Sequence, residues 1–189
     1  MISVVVEVSN RHVHLSQPEF QALFGPDVSL HQLRLISQTP QFAAVETITL
    51  QGPKGTIENV RVVGPLRSDT QVELALNDAR CLGINPPLRN SGELSGSAGV
   101  TLIGPRGTVV LHQGAIIQRR HIHATADDCQ RYGLQPDSMV RVRLPGDRGL
   151  IFDKVLIKTH PSYTWRLHID TDEAKAAGIV GNVVGEVLI

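Results

Sequence analysis

The sequence predicts a mainly β protein, folded as two pseudo-symmetric small β-barrels capped by short α-helices. Three observations carry that prediction. Apolar residues alternate with a period of two over many short stretches. The 17 glycines and 11 prolines among 189 residues supply the turns that many short strands require. The second half of the chain repeats the first. Apolar residues make up 41% and charged residues 19%, enough apolar surface for a packed core. A chain of 189 residues suits one large domain or two small ones. Parallel βαβ units are not expected, because the helical stretches are short and the strands cluster.

The elements follow in order. Residues 1–8 form an apolar run broken by Ser3 and Glu7, without the basic leader and long apolar stretch of a secretory signal. Asn10-Arg11-His12-Val13-His14-Leu15 then recurs as Arg119-Arg120-His121-Ile122-His123-Ala124. Each copy leads into a short helix. Ser16 with Glu19, and Thr125 with Asp128, read as capping boxes, and Gly25 and Gly133 as the helix ends. Residues 47–50, Gly52-Pro53-Lys54-Gly55 and 57–63 read as strand, turn, strand, and so do 140–144, Gly146-Asp147-Arg148-Gly149 and 151–158. Residues 70–74 precede a second helix closed by Gly83, as 165–169 precede one closed by Gly178. Counted back from those glycines, Glu73 and His168 occupy the same repeat position. The hairpin 100–103/108–111, around Gly104-Pro105-Arg106-Gly107, reads as an insert between the halves. Residues 85–99, rich in Pro, Ser and Gly, read as a loop with room to move.

Composition excludes several function classes. Lys+Arg and Asp+Glu are 18 each, and aromatics are 4%, which argues against a nucleic-acid module. No stretch approaches the roughly 18 apolar residues of a membrane span. Two cysteines, Cys81 and Cys129, are too few for a disulfide framework and suit a reducing compartment, so a cytoplasmic location is expected. Both fall in the short helices and read as small buried hydrophobes.

The chemistry lies in the repeated His-x-His. On a strand the two imidazoles share one face. One such pair is a weak signal; two copies at equivalent positions, each matched by a third ligand-type residue, point to metal. The candidate ligands are His12, His14, Glu73, His121, His123 and His168. Five imidazoles and one carboxylate suit zinc or a similar divalent ion. A pseudo-twofold axis would let the six converge on one interface, as one saturated structural site or as two sites of three ligands with an open position. His31, His112 and His160 lack repeat partners and read as exposed and non-ligating. Arg67 enters the Glu73 strand by the turn Gly64-Pro65-Leu66-Arg67. Its guanidinium has the fork that grips phosphate, although position alone fits a solvated turn residue better. Arg11, Arg119 and Arg120 flank the histidine pairs, adding positive potential or pairing with surface carboxylates.

These residues resemble a known family. Val8-Ser9-Asn10-Arg11-His12-Val13-His14-Leu15-Ser16 is similar to the opening signature of the PduL-type phosphate propanoyltransferases (phosphotransacylases). Residues 64–67 through Thr70-Gln71-Val72-Glu73 and Asp78-Ala79-Arg80 resemble the second block. Arg120-His121-Ile122-His123 and His168-Ile169-Asp170-Thr171-Asp172-Glu173-Ala174 resemble the third and fourth. The resemblance implies an enzyme that moves a short acyl group, propanoyl above all, between coenzyme A and phosphate. It implies two divalent ions, zinc by expectation, on the six ligands, with Arg67 on the phosphate. It also implies a central barrel over 11–118 and a second over 1–10 and 119–189, the first strand being exchanged and the metal site lying between the barrels. The expected partners are small molecules and further copies of the same chain, with no nucleic acid and no membrane. Propanediol degradation and association with a bacterial microcompartment belong to the same expectation, although the chain starts directly on its first strand where compartment-associated members carry an N-terminal extension. Residues 163–166 depart from the family pattern more than their flanks do. The ligand set by itself also accommodates a binuclear metallohydrolase of thioesters, or a non-enzymatic β-barrel module with a structural metal.

Overall fold

The computed structural model describes every residue from Met1 to Ile189. The chain divides into two compact units, a central one of Arg11–Gln118 and a terminal one of Met1–Asn10 with Arg119–Ile189. The first strand, β1 (Ile2–Ser9), belongs to the terminal unit.

The central unit contains β2 (His12–His14), α1 (Gln17–Phe24), β3 (Gln32–Leu35), β4 (Phe42–Gln51), β5 (Thr56–Gly64), β6 (Gln71–Leu74), α2 (Leu76–Leu82), β7 (Leu88–Arg89), β8 (Ala98–Ile103) and β9 (Thr108–Gln118). Six of these strands close a ring in the order β4–β5–β2–β6–β9–β8, because β8 pairs with both β9 and β4. Strands β3 and β7 extend it at β4 and β9. The interior is filled by inward-facing residues of the strands and the apolar faces of the helices, among them Leu15, Phe20, Leu23, Leu50, Leu82 and Leu102. Each side chain of this size, fully buried, contributes about 1.5–3 kcal/mol.

The terminal unit holds β10 (His121–Ala124), α3 (Ala126–Tyr132), β11 (Met139–Arg143), β12 (Ile151–Thr159), β13 (Arg166–Asp170), α4 (Thr171–Ala176) and β14 (Val184–Leu188). With β1 its strands form a closed barrel in the order β1–β13–β10–β12–β11–β14. Ile122, Leu144, Ile157, Leu167 and Ile169 fill it.

Written side by side, the two rings match strand for strand: β2 with β10, β4 with β11, β5 with β12, β6 with β13, β9 with β1 and β8 with β14. Registers agree too. Glu7 of β1 lies beside His168, and Ile116 of β9 beside Glu73. The hairpin β8–β9 is therefore not an insert, contrary to the sequence reading. It supplies the counterparts of β14 and β1. Each repeat sends its first strand into the other ring: β1 runs on into β2 yet pairs with β13 and β14, and β9 runs on into β10 yet pairs with β6 and β8. Local sequence cannot reveal this, since an apolar strand satisfies its backbone equally well at any open edge of suitable register.

Other expectations need amending. Strand pairs β1–β13, β10–β12, β2–β5, β6–β9 and β7–β9 are parallel. No helix joins two strands that pair directly, so βαβ units are indeed absent; the parallel pairs arise from longer crossovers. Thr125 and Asp128 form the expected capping box, Asp128 N–H donating to Thr125 Oγ1 at 3.1 Å and Thr125 N–H to Asp128 Oδ2 at 2.8 Å. Ser16 does not cap α1 with its side chain. Its N–H donates instead to Thr70 Oγ1 at 2.9 Å, and Glu19 accepts from the same hydroxyl at 3.4 Å. Cys129 is buried, and burial raises its thiol pKa; Cys81 is exposed, against expectation.

The Gly-Pro-x-Gly turns do more than reverse the chain. Lys54 N–H donates to Leu82 O at 3.0 Å, and Arg106 N–H to Leu23 O at 3.0 Å, so each turn covers the carbonyl end of a short helix. A Cβ on Gly52 would lie 2.2 Å from Leu82 O, and one on Gly104 2.5 Å from Leu23 O, so only glycine permits this approach.

Candidate metal centres

The six candidate ligands fall into two sets of three, one in each unit: His12, His14 and Glu73 in the central unit, His121, His123 and His168 in the terminal unit. Within each set, one ligand-type atom per residue lies within 4.8 Å of the others. Strand register produces both. His12 sits opposite Glu73 on antiparallel β2 and β6, as His121 sits opposite His168 on β10 and β13. The second histidine of each pair points to the same face two residues on. The equivalence of Glu73 and His168, inferred by counting from glycines, is thus an equivalence of sheet position.

Hydrogen bonds orient the rings. His14 Nδ1 lies 3.1 Å from Val63 O, and His121 Nδ1 lies 2.8 Å from Arg119 O. A carbonyl only accepts, so each Nδ1 carries the proton and each Nε2 turns its lone pair inward, the tautomer a metal ligand needs. Glu73 spans the central set, Oε2 at 3.4 Å from His12 Nε2 and Oε1 at 3.9 Å from His14 Nε2. In the terminal set, His121 Nε2 and His123 Nε2 are 3.0 Å apart. The His123 pKa is lowered far below the ordinary imidazole value, by burial first and then by His168, His121, Lys158 and His160. The ring is therefore held neutral. His123 Nδ1 is buried without a hydrogen-bond partner. Converging, largely buried imidazole nitrogens, with a carboxylate among them in one set, are a donor arrangement that fits zinc-like divalent ions.

Arg67 is half-buried in the central unit, at the start of the segment leading into β6. Its N–H donates to Leu15 O at 2.9 Å, and its Nη1 donates to Ser91 Oγ at 3.2 Å. A relay then runs to the ligand set. Gln71 Nε2 donates to Ser91 Oγ at 2.9 Å and to Glu73 Oε1 at 2.5 Å, and Gln71 Oε1 accepts from Gly92 N–H at 2.7 Å. Arg67 is thus no solvated turn residue, and the loop 85–99 is tied down at this point. Gln71 and Ser91 were missed in the sequence. For Gln71 the signal was present, since it shares a strand face with Glu73; for Ser91 there was none. Of the arginines flanking the histidine pairs, Arg11 pairs with Asp78 at 3.1 Å and Arg120 with Glu173 at 2.7 Å. His31, His112 and His160 are exposed and join neither set. No helix is long and apolar enough to cross a membrane.

Comparison with known proteins places this arrangement in a class. The family profile described as phosphate propanoyltransferase matches residues 5–180. A phosphate propanoyltransferase of Thermotoga maritima is 49% identical over 92% of this chain and 83% of its own length. One of Rhodobacter capsulatus is 48% identical over 93% and 82%. One of Salmonella typhimurium is 46% identical over 90% and 81%. The class is that of the acyltransferases. The chain belongs to the phosphate propanoyltransferase family.

Proposed function

We propose that this enzyme reversibly converts a short acyl-CoA, propanoyl-CoA in the first place, and phosphate into acyl phosphate and free coenzyme A. The observation that carries the reading is the recurrence of one three-ligand set at the same sheet positions in both units, in a chain of this family. His12, His14 and Glu73 would hold one divalent ion and His121, His123 and His168 a second. Such ions lower the repulsion of phosphate oxygens and polarise a thioester carbonyl.

The chain's own groups do the rest. Arg67 offers a forked, permanently charged donor to phosphate. The Ser91–Gln71 relay fixes its side chain at a set distance from Glu73, and such positioning of reactants supplies much of the acceleration in a two-substrate reaction. A phosphate oxygen attacks the thioester carbon, the C–O bond forms, the C–S bond breaks, and the thiolate leaves as coenzyme A. No side-chain nucleophile is required, because phosphate is itself a competent one once placed. The half-buried wall formed by 85–99 is a candidate surface for the coenzyme A chain.

The test is product analysis. Purified protein with propanoyl-CoA should release free thiol only when phosphate is added, with acyl phosphate appearing in equal amount. Release of thiol and carboxylate without phosphate would support a binuclear hydrolase instead. No turnover, with one ion held in saturated coordination, would support a structural metal.

A further inference from the structure

Each imidazole that lies on a paired His-x-His strand needs something to fix its ring, since a ligand free to rotate about χ2 loses its lone pair's aim. His14 and His121 are fixed by hydrogen bonds from Nδ1 to Val63 O and Arg119 O. His123 has no such bond: its Nδ1 is buried and without a hydrogen-bond partner. What lies against its ring is Tyr163, with centroids 3.9 Å apart and planes inclined by 30°.

The chain builds this contact deliberately at the end of β12. His160 N–H donates to Ala124 O at 3.1 Å, which ties the turn to the strand of the histidine pair, and Tyr163 N–H donates to His160 O at 3.1 Å, which closes it. Ser162 N–H donates to His160 Nδ1 at 3.2 Å. Lys158, opposite His123 in the β10–β12 register, carries its Nζ 6.0 Å from the centre of the Tyr163 ring. The turn that carries Tyr163 is thus fixed by backbone bonds, and the phenol ring stacks on His123, from which His121 and His168 lie 4.5 and 4.4 Å away, centroid to centroid.

We infer that Tyr163 is a positioning residue for the terminal set, orienting His123 by ring stacking where its sequence counterpart His14 uses a hydrogen bond. This rests on the metal-binding reading above. Its flat ring, not its hydroxyl, is the operative part.

The experiment is titration of metal-free protein with zinc against a competing chromophoric chelator, for the wild-type chain and for Tyr163→Phe, Tyr163→Leu and Tyr163→Ala, with circular dichroism of each variant as the check on folding. Wild type should take up two ions. Tyr163→Phe should match it. Tyr163→Leu, which keeps apolar bulk but no flat face, and Tyr163→Ala should bind one ion normally and the other roughly 10–100-fold more weakly. Cobalt loading should show the same split, with an altered visible absorption for one ion of the two. Unchanged affinity for both ions in folded Tyr163→Leu and Tyr163→Ala overturns the inference. So does a loss in Tyr163→Phe equal to that in Tyr163→Ala, which would assign the effect to the hydroxyl. A wild-type chain that binds no second ion would instead overturn the metal reading itself.

Discussion

The two units place three candidate ligands at the same sheet positions but with different chemistry. In the central unit the third ligand position is Glu73, and the residue two places before it is Gln71, which bonds Glu73, Ser91 and Gly92 together. In the terminal unit the corresponding residues are His168 and Arg166. Arg166 bonds no loop; its Nε is sheltered without a hydrogen-bond partner, with the Glu7 carboxylate 3.8 Å away. The first set contains a carboxylate and is tied through Gln71 and Ser91 to Arg67, and the second is made of imidazoles alone. A repeated barrel therefore supplies equal positions, while single substitutions at those positions make the halves unequal in charge. An ion on the Glu73 side would be the less Lewis-acidic of the two, because its ligands carry the extra negative charge.

The largest effect expected is from removing the unequal ligand itself. Glu73→Ala and His168→Ala should each abolish turnover, and each should cost about one of two bound ions by elemental analysis, because each set is built within one unit. Release of both ions by either change would show that the two sets depend on each other and would end the comparison as drawn.

Arg67→Ala comes next. Loss of a charge-assisted fork, about 1.5–3 kcal/mol, should weaken phosphate use tenfold or more while leaving coenzyme A binding much less affected. Arg67→Lys should restore only part, since the ammonium lacks the fork. Steady-state kinetics with phosphate as the varied substrate decides this, and an unchanged phosphate dependence would remove Arg67 from the site.

Gln71→Leu should raise the KM for phosphate and lower stability by about 1–3 kcal/mol, the cost of leaving the buried Glu73 carboxylate and the half-buried Ser91 hydroxyl without this partner. Arg166→Leu, the same position in the other unit, should cost less in urea-induced unfolding, since Arg166 satisfies no loop. Equal losses would mean that the relay in the central unit has no special structural role.

The smallest effect separates the two repeats at their first helices. Thr125→Ala should cost about 1 kcal/mol through loss of a real N-cap. Ser16→Ala should cost less than Thr125→Ala, because Ser16, though buried, caps nothing with its side chain. Thermal unfolding of the two variants checks the difference.

Much of this was legible in the residues. The period-two runs, the paired turns and the repeat led to the barrel class, because alternation and turn chemistry are local properties. The two clusters of three candidate ligands were legible because His-x-His fixes a shared strand face and because helix-ending glycines gave a common ruler for Glu73 and His168. Arg67 was legible only through the family resemblance: chain position alone left it a turn residue, and Ser91, which accepts from its guanidinium, lies 24 residues away.

What the tertiary structure alone decided is pairing across long separations. That β9 closes the ring with β6 as β1, expected there from the resemblance, does with β13, that β8 is the counterpart of β14, and that Tyr163 lies on His123 are outcomes of edge availability and packing, which depend on every strand at once. Identical local patterns are compatible with several pairings, and the choice among them lies with the register that buries the apolar face and satisfies the backbone around a closed ring.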